Sequence, residues 1–474
     1  MKIIRKYILA ASLAAMCGNA MAQGLNTGYF IEEYKMRHNM NPAFGNQQNY
    51  ISVPGAGNIN VRTQGNFGLG DVLFDNPRYG IDSNKKKTTF MNPYISTADA
   101  LSGFASGDNR INADVDVTLL SGGFKAWGGY NTVSIDARTN VGMSLPRTLF
   151  DFARNTGNQT YSMDDINVHA QSFVQLAFGH SRNINDQWRV GGKVKVLLGI
   201  GRGDLQISNL RADLADADKW TMTGHAESHV SMKGFSYKQE QKDYKDEQKG
   251  SYEYVNDVDI DGVGVSGVGL AFDLGAVYQI NQDWQVSAAL IDLGFIKWSN
   301  NMTAVNRQET FVFNGFHDIA YDKHDEQGNL KDNSIKGQGN KYADQLADFA
   351  NLTDQGDQGG RTTGIGATLN IGAEYVFPLY RPLKFGLLSS TRLNGQYTWT
   401  EGRLSANVAP LKWLDGGLSF AVNSFTTSCG WMINAHPKGV NLFIGMDHIL
   451  GKVSKEFIPL SSNASVNIGI NVAF

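Results

Sequence analysis

From residue 58 onward, apolar and polar side chains alternate with a period of two, the pattern of strands whose two faces meet different surroundings. "INADVDVTLL" (111–120) sets Val115 and Val117 against Asp114 and Asp116. "NTVSIDARTNVGM" (131–143) sets Val133, Ile135, Ala137 and Val141 against Ser134, Asp136, Arg138 and Asn140. Long strands follow over 166–182 and 187–208. Further strands read near 223–237, 252–281, 284–298, 364–377, 383–399, 402–410, 414–425, 440–447 and 463–474. Many reach about 9–11 residues, the length a tilted strand needs to cross a bilayer.

The connections alternate in length. "NIND" (183–186) and "INQD" (280–283) are tight turns, whereas 237–250 and 314–362 are long and hydrophilic. Short turns at one end and long polar loops at the other predict an all-β fold, a transmembrane antiparallel β-barrel. Two stretches read as helices in loops: 146–155, with Pro146 in the first turn, and 340–352, with Tyr342, Leu346, Phe349 and Ala350 on one face.

One hairpin recurs. "GHSRNINDQWRV" (179–190) aligns with "GAVYQINQDWQV" (275–286), pairing Gly179 with Gly275 and Trp188 with Trp284. Trp413 in "PLKWLDGG" is a third candidate. A Trp just past a tight turn is expected at the membrane–water boundary, where indole is favoured.

Composition narrows the context. The chain has 474 residues with 53 Gly, 10 Pro and 18% charged side chains, fewer charges than the quarter or so of a soluble domain. Lys2, Arg5 and Lys6 precede a short apolar run and the "AMA" of 20–22, the order of a secretory signal cleaved before Gln23. Residues 1–22 are therefore expected to be removed, and only Cys429 of the two cysteines remains. Nothing in the charge balance calls for nucleic acid.

Enzyme chemistry finds little footing. "DVDIDG" (257–262) carries Asp257, Asp259 and Asp261 at calcium-loop spacing, but Val268 stands where the twelfth-position carboxylate belongs. The same spacing puts three carboxylates on one face of a strand, toward a wet lumen. "GVGVSGVG" (262–269) has nucleotide-loop spacing but runs into a strand, not a helix. No catalytic, metal or cofactor residue is assigned, and the protein is read as a non-enzyme.

"MRHNMNPAF" (36–44), soon after the mature start and ahead of the strands, resembles the N-terminal segment of FadL-like outer-membrane proteins. "SLPRTLFDFARNTGN" (144–158) and "DLGAVYQINQDW" (273–284) are similar to a Bacteroidota branch of that group known only as a domain of unknown function. The resemblance implies about 14 strands over 58–474 and a luminal plug formed by 23–57, with Asn41, Pro42 and Ala43 as its motif. It implies passive transport of hydrophobic or small solutes across the outer membrane. The alternative it leaves open is a non-transporting barrel that scaffolds a secretion or surface complex.

The chain ends "SVNIGINVAF". Val466, Ile468, Ile470 and Val472 are expected to face lipid, with Asn467 and Asn471 facing the lumen. Phe474 resembles the terminal aromatic that the barrel assembly machinery reads. Expected partners are outer-membrane lipids, that machinery and a hydrophobic ligand.

Overall fold

Alternation becomes wall. A computed structural model describes residues 24–216, 218–246, 249–320, 324, 331, 333–449 and 463–474; the expected secretory signal, 1–22, lies outside these residues. The strands form a closed antiparallel barrel of 14 strands. They are β1 (Tyr50–Ser52 and Ile59–Gly65), β2 (Asp108–Ala126), β3 (Gly129–Pro146), β4 (Ile166–Asn183) and β5 (Trp188–Asp213). Next come β6 (Trp220–Met232 and Gly267–Gln279) and β7 (Trp284–Trp298, Met302–Asn306 and Thr310–Phe313). After β8 (Leu352–Asp357, Thr362–Gly364 and Ala367–Val376) follow β9 (Leu383–Leu393), β10 (Trp399–Leu411) and β11 (Leu414–Asn423). The last three are β12 (Thr427–Ala435), β13 (Val440–Met446) and β14 (Ala464–Ala473).

Closure joins the two ends of the chain. Tyr50 pairs with Ala473 and Ile59 with Ile468, while the other edge of β1 pairs with β2. Among the described residues no barrel strand then keeps an unpaired edge, as a barrel that spans a membrane requires. Outward positions such as Leu270, Phe272, Leu274, Leu387, Leu418 and Phe420 are exposed apolar side chains. Inward positions on the same strands are mostly small or polar, apart from Val277 and Leu388, which meet the chain inside the barrel.

Strands β5 to β8 rise above the rest, and β6 is interrupted. Met232 pairs with Gly201 and Gly267 with Gly199, so the two halves of β6 follow one another along β5. Residues 233–266 leave the wall between them as a hairpin, Phe235–Asp243 with Ser251–Ile260. The hairpin folds back on the outer face of the wall, where Tyr237 and Val255 pack with Ala304 and Leu352. The Tyr237 hydroxyl donates to Ser228 Oγ at 3.0 Å.

This corrects two expectations. The strand read over 252–281 is half hairpin and half barrel wall. Asp257, Asp259 and Asp261 are exposed on the hairpin, outside the barrel and not in its lumen. The hairpin alternates like the wall because it too covers an apolar surface on one side and meets water on the other. Alternation does not mark β12, because its inward Met432 breaks the polar side of the pattern.

The helices α1 (Arg147–Arg154) and α2 (Ile335–Ala350) sit at the long-loop end. Phe150 of α1 joins Phe67, Phe90 and Phe104 of the 66–107 loop in an aromatic cluster. That cluster rests on Ile111, Met143 and Leu145.

Candidate functional site: the plugged lumen

Residues 24–49 run inside the barrel before the chain enters β1, and almost every one from Gly24 to Asn46 is buried. Leu25, Tyr29, Phe30, Ile31, Tyr34 and Phe44 form the plug's apolar core and pack against wall residues Val277, Leu388, Met432 and Phe443. The tip, Glu32 and Glu33, reaches the short-turn end, where Glu32 pairs with Lys384 at the start of β9. Beside the tip lie recesses of about 260 and 810 Å³ lined mainly by turn residues and Glu32.

Two inward glycines make room for the Asn41–Pro42–Ala43 turn. Gly191 and Gly275 pair across β5 and β6. A Cβ at Gly191 would overlap the Pro42 carbonyl and stand 2.7 Å from Ala43 N; one at Gly275 would overlap Asn41 Oδ1 and stand 2.8 Å from Pro42 Cδ. Close backbone approach of this kind is what glycine in a strand permits. The Ala43 N–H donates to Asn41 Oδ1 at 2.9 Å, closing the turn, and Asn370 Nδ2 donates to Met40 O at 2.8 Å.

The other end of the plug is held by charge. Asp447 accepts the N–H groups of Asn26 (2.9 Å) and Thr27 (2.8 Å), the Thr27 hydroxyl (2.8 Å) and the guanidinium of Arg62. Asn26 Nδ2 donates to Glu401 Oε1, which Arg403 also holds at 2.9 Å. All are buried. Hydrogen bonds to ionised groups are the stronger ones, so this carboxylate is the plug's principal anchor.

A second charged belt crosses the lumen beside the plug. Arg138 pairs with Asp116 (2.7 Å) and Asp292 (2.9 Å), and Lys195 with Asp273 (2.7 Å) and Asp292 (2.6 Å). Between belt and plug is a cavity of about 30 Å³, lined by Gly24, Asn39, Asn58, Asp136 and the belt, with room for about one water. Near it Lys193 Nζ contacts His38 Nδ1 at 2.8 Å and donates to Asn39 Oδ1 at 2.8 Å; His38 Nε2 contacts the Tyr50 hydroxyl at 2.7 Å.

The sequence-predicted residues occupy three separate places. Asn41, Pro42 and Ala43 lie in the lumen as described. Trp188, Trp284 and Trp413 stand exposed at the short-turn end, Trp188 against Tyr278 and Trp284 against Tyr375, each at 4.7 Å between centroids. On β14, Ile468, Ile470 and Val472 are 41%, 39% and 45% exposed and Asn467 and Asn471 0%, which fixes the outward and inward faces. Val466 is half-buried and Phe474 exposed. Sequence reasoning missed Asp447, His38, Lys193 and the glycine seat. The seat had a trace, since Gly275 belongs to the repeated hairpin, and His38 lay unremarked inside "MRHNMNPAF". Among the described residues no group of three His, Cys, Asp or Glu is placed to hold a metal ion.

Comparison with known proteins adds the following. A family described as "Family of unknown function (DUF5723)" matches residues 42–447. No curated protein matches the sequence. Among solved structures, the chain is similar to the toluene transporter TbuX of Ralstonia pickettii, at 9% identity, with 91% of each chain covered and a TM-score of 0.38. It is similar to the toluene transporter TodX of P. putida, at 10% identity, with 91% of each chain covered and a TM-score of 0.38. The translocator domain of the autotransporter NalP from Neisseria meningitidis matches at 9% identity over 90% of this chain and 89% of that one, with a TM-score of 0.31.

Proposed function

The chain belongs to DUF5723, a family of unknown function, and from that premise we propose that it is an outer-membrane channel closed at rest by its own N-terminal plug. The observation that carries this reading is the plug's mode of attachment. Residues 24–49 fill the lumen, yet they are held by hydrogen bonds, ion pairs and close glycine contacts that can be broken and remade.

Displacing the plug opens a path whose walls carry Asp116, Asp136, Arg138, Lys195, Asp292 and Arg403. A small polar solute suits that lining better than a hydrophobic one, because an apolar molecule there would displace water from charged and polar groups without replacing its hydrogen bonds. Apolar side chains on the outer face and the secretory signal support residence in the outer membrane. The exposed strand end at Phe474 suits recognition by the assembly machinery.

Flux into liposomes tests the reading. A chain lacking 24–48 should pass small polar solutes far faster than the full chain; equal flux would sink it. A second reading, a scaffold for a surface complex, is favoured by the hairpin and α2 standing on the raised β5–β8 side. A stoichiometric partner lost on trimming 235–260, together with unchanged flux in the plug deletion, would select it.

A further inference from the structure

We propose that His38 is the proton-sensitive key to the plug: the seated plug holds this histidine neutral, and acid releases the plug. The inference rests on the plugged-channel reading, but its geometry stands by itself. An ammonium group can only donate, so Lys193 Nζ, 2.8 Å from His38 Nδ1, makes that nitrogen an acceptor. The ring proton then sits on Nε2 and is donated to the Tyr50 oxygen at 2.7 Å, and the Tyr50 O–H passes to Ser121 Oγ at 2.8 Å. Plug and wall are joined by a chain of bonds with one direction, Lys193 to His38 to Tyr50 to Ser121. A proton added at Nδ1 would replace the acceptor with a donor and set two cations face to face inside the barrel.

The surroundings offer no compensation. Lys193 and Lys195 face His38 from β5, and Tyr50 from β1. The nearby carboxylates are engaged: Asp136 of β3 accepts from Thr118, Ser134 and Gln175. Asp273 of β6 and Asp292 of β7 hold Lys195. On the plug, Lys35 is turned to Glu33, and Arg37 lies over Phe44.

Once the plug is out, the imidazole meets water and titrates near its ordinary value of about 6.5. The unseated state then binds a proton that the seated state does not. Seating is therefore strongest above that value and weakens as pH falls through and below it, the sign expected for a histidine held neutral in one state only.

Hydrogen–deuterium exchange of plug amides in the full chain, corrected for the intrinsic pH dependence of exchange, reads the unseated fraction even when it is small. Between pH 7.5 and 5.5 that fraction should rise about tenfold. In H38Q, where the amide can still accept from Lys193 and donate to Tyr50, it should be flat. K193M removes the facing ammonium but leaves His38 buried, so its response should be weaker than the parent's and steeper than that of H38Q. A flat response in the parent chain, or equal slopes in the parent and H38Q, would overturn the proposal. Flat exchange together with flux gained on plug deletion would leave the channel standing and remove only its proton release.

Discussion

The glycine seat makes a prediction that separates plug from barrel. In Gly191→Ala the new methyl would overlap the Pro42 carbonyl, whose carbon lies 2.5 Å away where ordinary contact begins at 3.4 Å, so the plug backbone must retreat by at least about 0.9 Å. The obstructed atoms are backbone and cannot rotate aside. A retreat of that size stretches the 2.8 Å bond from Asn370 to Met40 O and takes Asn41 Nδ2, already 3.5 Å from Ala276 O and Ala288 O, out of reach of both. Losing one good hydrogen bond costs about 1 kcal/mol, and overpacking a filled site costs roughly 1–3 kcal/mol. Together these shift the seating equilibrium by about 2–4 kcal/mol, roughly 30- to 700-fold in the unseated fraction. The wall should not suffer, because alanine is the better strand residue. The neighbouring Gly192→Ala is the control, since its Cβ would meet Asp273 O at 3.5 Å and Leu274 Cδ2 at 3.9 Å, both ordinary contacts. The assay is exchange of plug amides alongside the heat-induced mobility shift of the folded barrel. Equal plug exchange in the two variants, or a barrel weakened by G191A, would refute the argument.

The charged belt and the strand end supply further tests. Lys195→Met leaves Asp273 and Asp292 without their shared ammonium and should destabilise the barrel by about 3–5 kcal/mol, the usual effect of breaking a buried pair. A lowered unfolding temperature that K195M/D273N partly restores is the expected result; no change in either variant counts against the belt as a structural element. Removing Phe474 should reduce the yield of folded protein in the outer membrane, and normal assembly would detach that residue from any recognition role.

The wall was legible because each residue there answers to one of two solvents, and alternation records that division directly. It became illegible where a third surface intervened. Met432 faces inward from β12 but packs on the plug, so its apolar side chain blurs the pattern of that strand. The hairpin at 235–260 alternates as well as any wall strand, and nothing local marks its apolar face as covering protein. The plug motif stood out only through the resemblance of "MRHNMNPAF" to the N-terminal segment of a known family. Its seat did not, because a glycine that admits a neighbour reads the same as one that lets a strand bend. His38 and Lys193, or Asp447 and Asn26, are single polar residues far apart in sequence, and only closure of the barrel brings them together.

The plug runs without a break into β1, the strand that closes the barrel against β14. An unseated plug would therefore remain a tethered stopper, its reach at most about 94 Å if residues 24–49 were fully extended. Reseating is an intramolecular event, governed by an effective concentration of the millimolar order typical of short tethers. Its rate and equilibrium belong to one molecule and do not depend on how many copies the membrane holds. On the plugged-channel reading, each copy would open and close on its own account.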